Sequence, residues 1–344
     1  MNCSFILQMK DNDIDDIEDV PEHLAGAGVK PKIKIGLKPK RFITIAEMCH
    51  ATEGPVPTLP AKLVKSQIIS ASRRTDIPAF YMPKILAAIQ RGYIEVTSPY
   101  GVKSNVSLSA KDVKCFVWWS KDYSRWLELY EKEKPVFSQY MHMFNFTLTG
   151  GDLLEPGIKS SFEQRLGQLT QLVHLFGPQT VKLRFDPIVI YRNKTGQLCD
   201  NLQQFETLVK TAAGLGINQI IFAFCIDYGH VTRRMAKFGF ILQKPSLDEQ
   251  KTILNPLLDL CAHYGVRLQT CCNSGLIGYR QITASKCVDG EIINKLCSRT
   301  GGLKTIRKDG GQRKECNCAV SRDIGSYELQ CYHNCNYCYA NPKI

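Results

Sequence analysis

The chain has 344 residues, 44% of them hydrophobic and 22% charged, and its 44 Lys and Arg outnumber 32 Asp and Glu for a formal charge of +12. That balance excludes a disordered tail or a collagen-like repeat and leaves room for a sizeable core. No apolar run approaches the ~18 residues needed to span a bilayer, so no membrane partner is expected. The opening MNCSFILQMK has too short an apolar stretch and no basic n-region for a secretory signal, which makes a cytoplasmic protein the expectation. Fifteen cysteines, an odd number, then point to metal or redox chemistry rather than a disulfide scaffold.

In chain order, residues 1–65 carry nine Lys and Arg and nine Asp and Glu, blocked into an acidic stretch from Asp11 to Glu22 and a basic one from Lys30 to Arg41. Blocked charge with six prolines and little periodicity predicts a partly disordered N-terminal extension over 1–65. The whole charge excess therefore falls on residues 66–344. A basic surface attracts phosphate or nucleic acid, but these basic residues are dispersed rather than striped with aromatics, so nucleic acid has no motif behind it as a partner.

From Gln67 onward short apolar runs alternate with amphipathic ones. Strands are predicted at 67–72, 93–97, 114–119, 139–148, 180–185, 218–225 and 266–271, and helices at 79–91, 124–133, 161–176, 201–214 and 247–264. The helix at 161 illustrates the signal: Ser160 or Ser161 caps it, Phe162, Leu166, Leu169 and Val173 form one apolar face, and Gly177-Pro178 stops it. Repeated βα units imply a parallel sheet. Seven strands in this span fit a complete or partial (β/α) TIM-like barrel over 66–298, although a doubly wound open sheet has the same local signature.

Chemistry in such folds gathers at the C-terminal ends of strands. The polar residues there are Arg73, Arg74 and Asp76 after the first strand, Ser120 and Lys121 after the third, Thr147 and Thr149 after the fourth, and Asp186 after the fifth. Asp227 and His230 follow the sixth, and Cys272 and Asn273 the seventh. Arg73 and Arg74 are suited to clamp an anionic substrate, while Asp76 either pairs with one of them or caps the next helix. Of Arg184 and Phe185, adjacent on a strand, only one faces the interior. Arg73, Arg74, Asp76, Lys121, Arg184 and Asp186 are the catalytic candidates.

The C-terminal segment 299–344 is the most informative. Cys331, Cys335 and Cys338 form C-x3-C-x2-C, and Cys316 and Cys318 form C-x-C. From the cysteine frequency a given three-cysteine spacing is expected about 0.03 times per chain and C-x-C about 0.65 times, so the triplet is the strong signal. Clustered thiolates select zinc, copper(I) or iron–sulfur clusters. Closed structural zinc and simple ferredoxin sites take four protein ligands; three leave one position open.

Cys331, Cys335 and Cys338, with Tyr337 directly before the last, resemble the C-x3-C-x-aromatic-C signature of radical S-adenosylmethionine (SAM) enzymes. The resemblance implies a (β/α) barrel, a 4Fe–4S cluster on the three cysteines, and SAM chelated by its amino and carboxylate groups. Reduction by an external electron donor then yields a 5'-deoxyadenosyl radical that abstracts hydrogen from a substrate. The position departs from that family, whose motif follows the first strand; here the tail has to fold over the barrel mouth. This layout resembles the family called Domain of Unknown Function eighteen-forty-eight. The resemblance rests on Ser70 through Tyr81, on Arg184 through Ile188, and on Lys308 through Asn341, including Gln312-Arg313, Asp323-Ile324-Gly325 and Cys338-Tyr339-Ala340-Asn341. Trp119-Ser120-Lys121-Asp122 departs from that family's Trp-Thr-Lys-Asn stretch, and the first 65 residues resemble an addition. By this resemblance Tyr337, Asp323 and Gly325 neighbour the cofactor, although turns that return the tail explain Asp323 to Gly325 and Gly310-Gly311 equally well.

Cys316 and Cys318 with Cys287, Cys271 or Cys272 are candidates for a second metal centre. Cys115, Cys225 and Cys261 lie in apolar elements and read as core, while His142, His174, Met141 and Met143 read as core or helix-face residues. Cys3, Cys49 and Cys199 have no partner pattern. His333 is the histidine to test as a ligand or cluster neighbour. Two alternatives stay open: a zinc-binding structural or nucleic-acid-binding module using Cys316, Cys318, Cys335 and Cys338, and an iron–sulfur electron carrier without SAM chemistry.

Overall fold

The computed structural model describes residues 63–98, 101–150 and 152–340. The predicted extension over 1–65 lies outside them except for its last three positions, where Val64 already forms a parallel bridge to Val106.

The main sheet has eight strands: β1 (Ile68–Ala71), β2 (Cys115–Ser120), β3 (Met141–Thr147), β4 (Val181–Ile188), β5 (Gln219–Phe224), β6 (Arg267–Thr270), β7 (Thr283–Ala284) and β8 (Arg322–Asp323). Every ladder is parallel, and the order is β7-β6-β5-β4-β3-β2-β1-β8. Strands β1 to β4 are buried along most of their length, as expected when both faces of a parallel sheet are covered. From β1 to β7 the order follows the chain without the reversal that marks a doubly wound sheet, and β8 lies beside β1. Among the described residues no ladder joins β7 to β8, so the fold is an eight-stranded parallel α/β sheet and a closed barrel is not shown.

The predicted strand at 93–97 forms, but it pairs antiparallel with Lys103–Ser107 in a separate hairpin. The predicted helix 79–91 divides into α1 (Ile77–Phe80) and α2 (Met82–Arg91) at Tyr81. Pro83 has no N–H to give the carbonyl of Ala79, so the helix has to restart there. Helix α3 (Ser124–Lys132) and helix α4 (Phe162–Phe176) match their predicted spans, and Ser161 rather than Ser160 caps α4 in a reciprocal box with Gln164. Helices α5 (Phe205–Gly214), α6 (Gly229–Lys237), α7 (Leu247–His263) and α8 (Gly290–Leu296) complete the crossovers needed here. Sequence reading missed α6 and α8, and also β7 and β8, whose two residues each are too few to show a period.

His142 is a core residue, as expected. Its Nδ1 accepts from Trp118 Nε1 at 3.0 Å, which leaves Nε2–H to donate to the Phe137 carbonyl at 2.9 Å. Burial pushes its pKa down to about 4.

Candidate metal centre

In a parallel sheet every strand delivers its following loop to the same end, and the tail docks at that end. Asp76, beyond β1, accepts from Ala79 N as the cap of α1, from Ser120 Oγ, from Lys121 N and from His333 Nε2, all at 2.8–2.9 Å. Capping is therefore its role, and its side-chain partner from the tail is His333 rather than an arginine. The peptide N of Gly157 donates to the His333 carbonyl at 2.9 Å, and that of Asn336 to the Leu154 carbonyl at 2.8 Å. A Cβ on Gly157 would lie 2.0 Å from the Tyr332 carbonyl oxygen. Arg234 of α6 donates to the Cys338 carbonyl, and His230 Nε2 contacts the Tyr339 carbonyl at 3.0 Å.

This docking gathers Cys331, Cys335 and Cys338 around buried polar groups. The Lys121 ammonium reaches Glu155 at 2.6 Å, the Tyr337 hydroxyl at 2.9 Å and Thr149 Oγ1 at 3.0 Å, while Tyr337 and Thr149 also donate to Glu155. Arg165, on α4, stands 3.9 Å from the other Glu155 oxygen. That oxygen, and Arg165 Nε and Nη1, are buried without hydrogen-bond partners. Burial opposes both charges of the Lys121–Glu155 pair, yet each partner's charge prevails: the ammonium is held above its ordinary pKa and the carboxyl below its own. The set holds two cations and one carboxylate beside Cys335, an excess that suits a negatively charged occupant.

Burial pushes the Cys331 thiol up to about 12 and Cys335 well above the usual range, with the Lys121 charge pulling Cys335 back. Among the described residues no group of three or more His, Cys, Asp or Glu stands ready around a single metal ion. The fit to a larger iron–sulfur group rests on the donors themselves: three soft thiols on one short loop, the Lys121 and Arg165 charges, and the orphaned Arg165 nitrogens. Cys225, read from sequence as core, instead packs half-buried in the same apolar cluster as Cys335 and Cys338, and its thiol is pushed up to about 12, first by burial. The loop after β5 places it there, and nothing in its apolar run signalled that.

The other predicted residues divide between staples and a second thiol set. Asp323 Oδ1 accepts from Ser72 Oγ and Gly325 N, and Oδ2 from Arg73 N and Ser70 Oγ, so it locks β8 onto the end of β1. Gly325 sits where a Cβ would lie 1.9 Å from Ser72 Oγ, a close-approach role rather than a visible cofactor contact. Arg74 donates to the Gly325 carbonyl at 3.1 Å. Arg73 lies over the Trp119 ring at 5.0 Å and keeps one buried Nη2 without a partner. Arg184 faces the site, donating to Asp186 and to Cys287, while Phe185 packs on Phe205 of α5. Burial first, and then Cys287, raise the Asp186 carboxyl against the pull of Arg184. Glu155, Arg165 and His333's attachment to Asp76 were beyond sequence reading; the only local hint for Glu155 was a charged residue in the loop after β3.

Cys316 and Cys318 pack with Cys287 and Cys271, apart from the apolar cluster of Cys335 and Cys338. The two halves of the mixed zinc set, Cys316 with Cys318 and Cys335 with Cys338, thus fall in different clusters. Cys271 and Cys272 approach to 3.9 Å between sulfurs. The Cys272 thiol is lowered to about 6, first by a hydrogen bond from Cys271, and Cys316 to about 7, first by Cys318. Every cysteine among the described residues is a free thiol, and no helix there is long and apolar enough to cross a membrane.

The family model described as Domain of unknown function (DUF1848) matches residues 68–340, which spans β1 through the cysteine loop. No curated protein matches the chain.

Proposed function

From the premise that the chain belongs to the DUF1848 family, which carries no activity with its name, we propose that it is a radical SAM-like enzyme holding a 4Fe–4S cluster on Cys331, Cys335 and Cys338. The observation that carries this reading is the buried docking of that three-thiol loop, with Tyr337 before Cys338, against an excess of positive charge at the strand ends. A cluster with one iron free of protein ligands supplies reductive cleavage of SAM to methionine and a 5'-deoxyadenosyl radical, with an external protein or chemical donor providing the electron.

The chain's own residues have defined tasks. Lys121 and Arg165 offset the negative charge of thiolate ligation, and Glu155 keeps the two cations in place. The Tyr337 hydroxyl, held by Lys121 and Glu155, fixes the loop between Cys335 and Cys338. Asp76 and Gly157 clamp His333, and Arg234 clamps the Cys338 carbonyl, which holds the loop against the strand ends. Arg184, bonded to Asp186 and Cys287, shares the Trp119 ring with Arg73, which keeps a spare donor, so an anionic substrate group fits there. The unreversed strand order, with β8 beside β1, supports a partial TIM-like barrel whose mouth the tail covers. Free thiols support a reducing, cytoplasmic setting.

The test is anaerobic reconstitution with iron and sulfide. Cys331→Ala, Cys335→Ala and Cys338→Ala should each lose about four iron and about four sulfide relative to the unaltered chain; unchanged content in all three contradicts the reading. The packing of Cys225 beside Cys338 favours one second reading, a four-thiolate electron carrier. Cys225→Ser separates the two: the enzyme keeps its cluster and its response to SAM, and the carrier loses the cluster.

A further inference from the structure

Away from the three-cysteine loop, five thiols from three separate chain segments meet. Cys271 and Cys272 follow β6, Cys287 precedes α8, and Cys316 and Cys318 belong to the returning tail before β8. Cys271, Cys287, Cys316 and Cys318 pack in one cluster, and the Cys272 sulfur lies 3.9 Å from that of Cys271. Sulfurs sharing one tetrahedral zinc with Zn–S bonds of ~2.3 Å stand about 3.8 Å apart, so the measured pair already has the spacing of co-ligands. Donors aimed at sulfur complete the picture: Val288 N points at Cys318 Sγ from 3.3 Å, and Arg184 donates to Cys287. Such N–H···S contacts are the outer-shell bonds that support thiolate ligands.

The backbone and the charges agree. Cys272 holds φ +54°, a left-handed conformation that a non-glycine residue adopts at a cost. Arg313 and Arg73 add positive charge beside Cys272 and Cys318. Five thiols on three segments, faced by three guanidinium groups, are more than packing requires, since a core cysteine such as Cys261 is the one thiol in its apolar cluster.

We propose that Cys271, Cys272, Cys287, Cys316 and Cys318 supply the ligands of a second, thiolate-bound metal centre, distinct from the one on Cys331, Cys335 and Cys338. As they stand no three of them surround a single ion; with their side chains turned toward it, four of the five would close the coordination shell of a thiophilic metal, either zinc or a second iron–sulfur cluster, both of which take four thiolates. The site ties the tail segment 316–318 to the loop after β6. It does not depend on the radical SAM reading.

The experiment uses the full chain and its variant Cys331→Ala/Cys335→Ala/Cys338→Ala, which removes the first site. Each is incubated anaerobically with Zn2+, with Co2+, or with iron and sulfide. Metal content, thiolate-to-metal absorption and site-resolved alkylation by iodoacetamide are then read. One ion or one cluster per chain should remain on the triple variant, and bound metal should slow alkylation of Cys272 and Cys316 at least tenfold. A chelator should restore it. The zinc and cobalt arms report a single ion, and the iron and sulfide arm a cluster; retention in any arm with protection of these cysteines supports the site. Adding Cys272→Ser and Cys316→Ser should abolish retention, and because alkylation is read on the unaltered cysteines, a folding failure of that variant does not decide the question. Absence of metal in every arm, protection confined to Cys331, Cys335 and Cys338, or a Cys272–Cys316 disulfide in place of metal overturns the proposal.

Discussion

His333 Nε2 stands 2.9 Å from Oδ2 of Asp76, a bond that joins the cysteine-rich tail to the loop after β1 across 257 positions of the chain. The same carboxylate caps α1 and accepts from Ser120 and Lys121, so one side chain couples two strand ends, a helix start and the tail. Asp76→Ala should lower stability by about 2–4 kcal/mol, the sum of a lost cap and several orphaned buried donors. Asp76→Asn should cost less. Urea unfolding measures both, and limited proteolysis of the Asp76→Ala chain should cut first in the tail.

The buried Lys121–Glu155–Arg165 set gives an asymmetric prediction. Lys121→Met leaves Glu155 facing Arg165, whereas Glu155→Gln leaves two buried cations without a carboxylate. Breaking a buried pair costs about 3–5 kcal/mol, and Glu155→Gln should stand at the upper end and Lys121→Met at the lower. Denaturant midpoints at constant slope rank them; equal losses would remove Arg165 from the account.

Gly157→Ala tests the seat of the tail. The new methyl would meet the Tyr332 carbonyl at 2.0 Å, and overpacking of this kind costs about 1–3 kcal/mol. Alkylation of Cys335, which is buried, should accelerate roughly tenfold as the tail lifts, with little change at Cys261. An unchanged Cys335 rate would show that the loop accommodates the methyl without opening.

His142 sets a pH dependence. Its folded pKa of about 4 lies below the ordinary 6.5, so between those values the unfolded chain binds the extra proton. Stability from this group is complete above about pH 6.5, falls as pH drops toward 4, and changes no further below it. The span is about 3 kcal/mol. His142→Gln should flatten the unfolding free energy across that window, after allowance for its own packing loss.

The repeating core was legible because each main strand from β1 to β6 is an apolar run or alternation long enough to show a period. The short edge strands β7 and β8 were not, since two residues carry no pattern and their pairing is decided by the return of the tail. Helix α6 escaped notice because Arg233, Arg234 and Lys237 mask its apolar face. At the site, the cysteine triplet and Asp76 could be read from spacing and position after a strand. Glu155, Arg165 and Cys225 could not, because what makes them neighbours is the docking of distant segments rather than any local signal.

The central claim is SAM chemistry at Cys331, Cys335 and Cys338, and the most direct measurement is 5'-deoxyadenosine released by the anaerobically reconstituted chain given SAM and a strong reductant. The account predicts product from the unaltered chain, absent without reductant and absent in Cys331→Ala, Cys335→Ala and Cys338→Ala. A reconstituted, reduced cluster that forms no 5'-deoxyadenosine, or product that persists when all three cysteines are replaced, would contradict it.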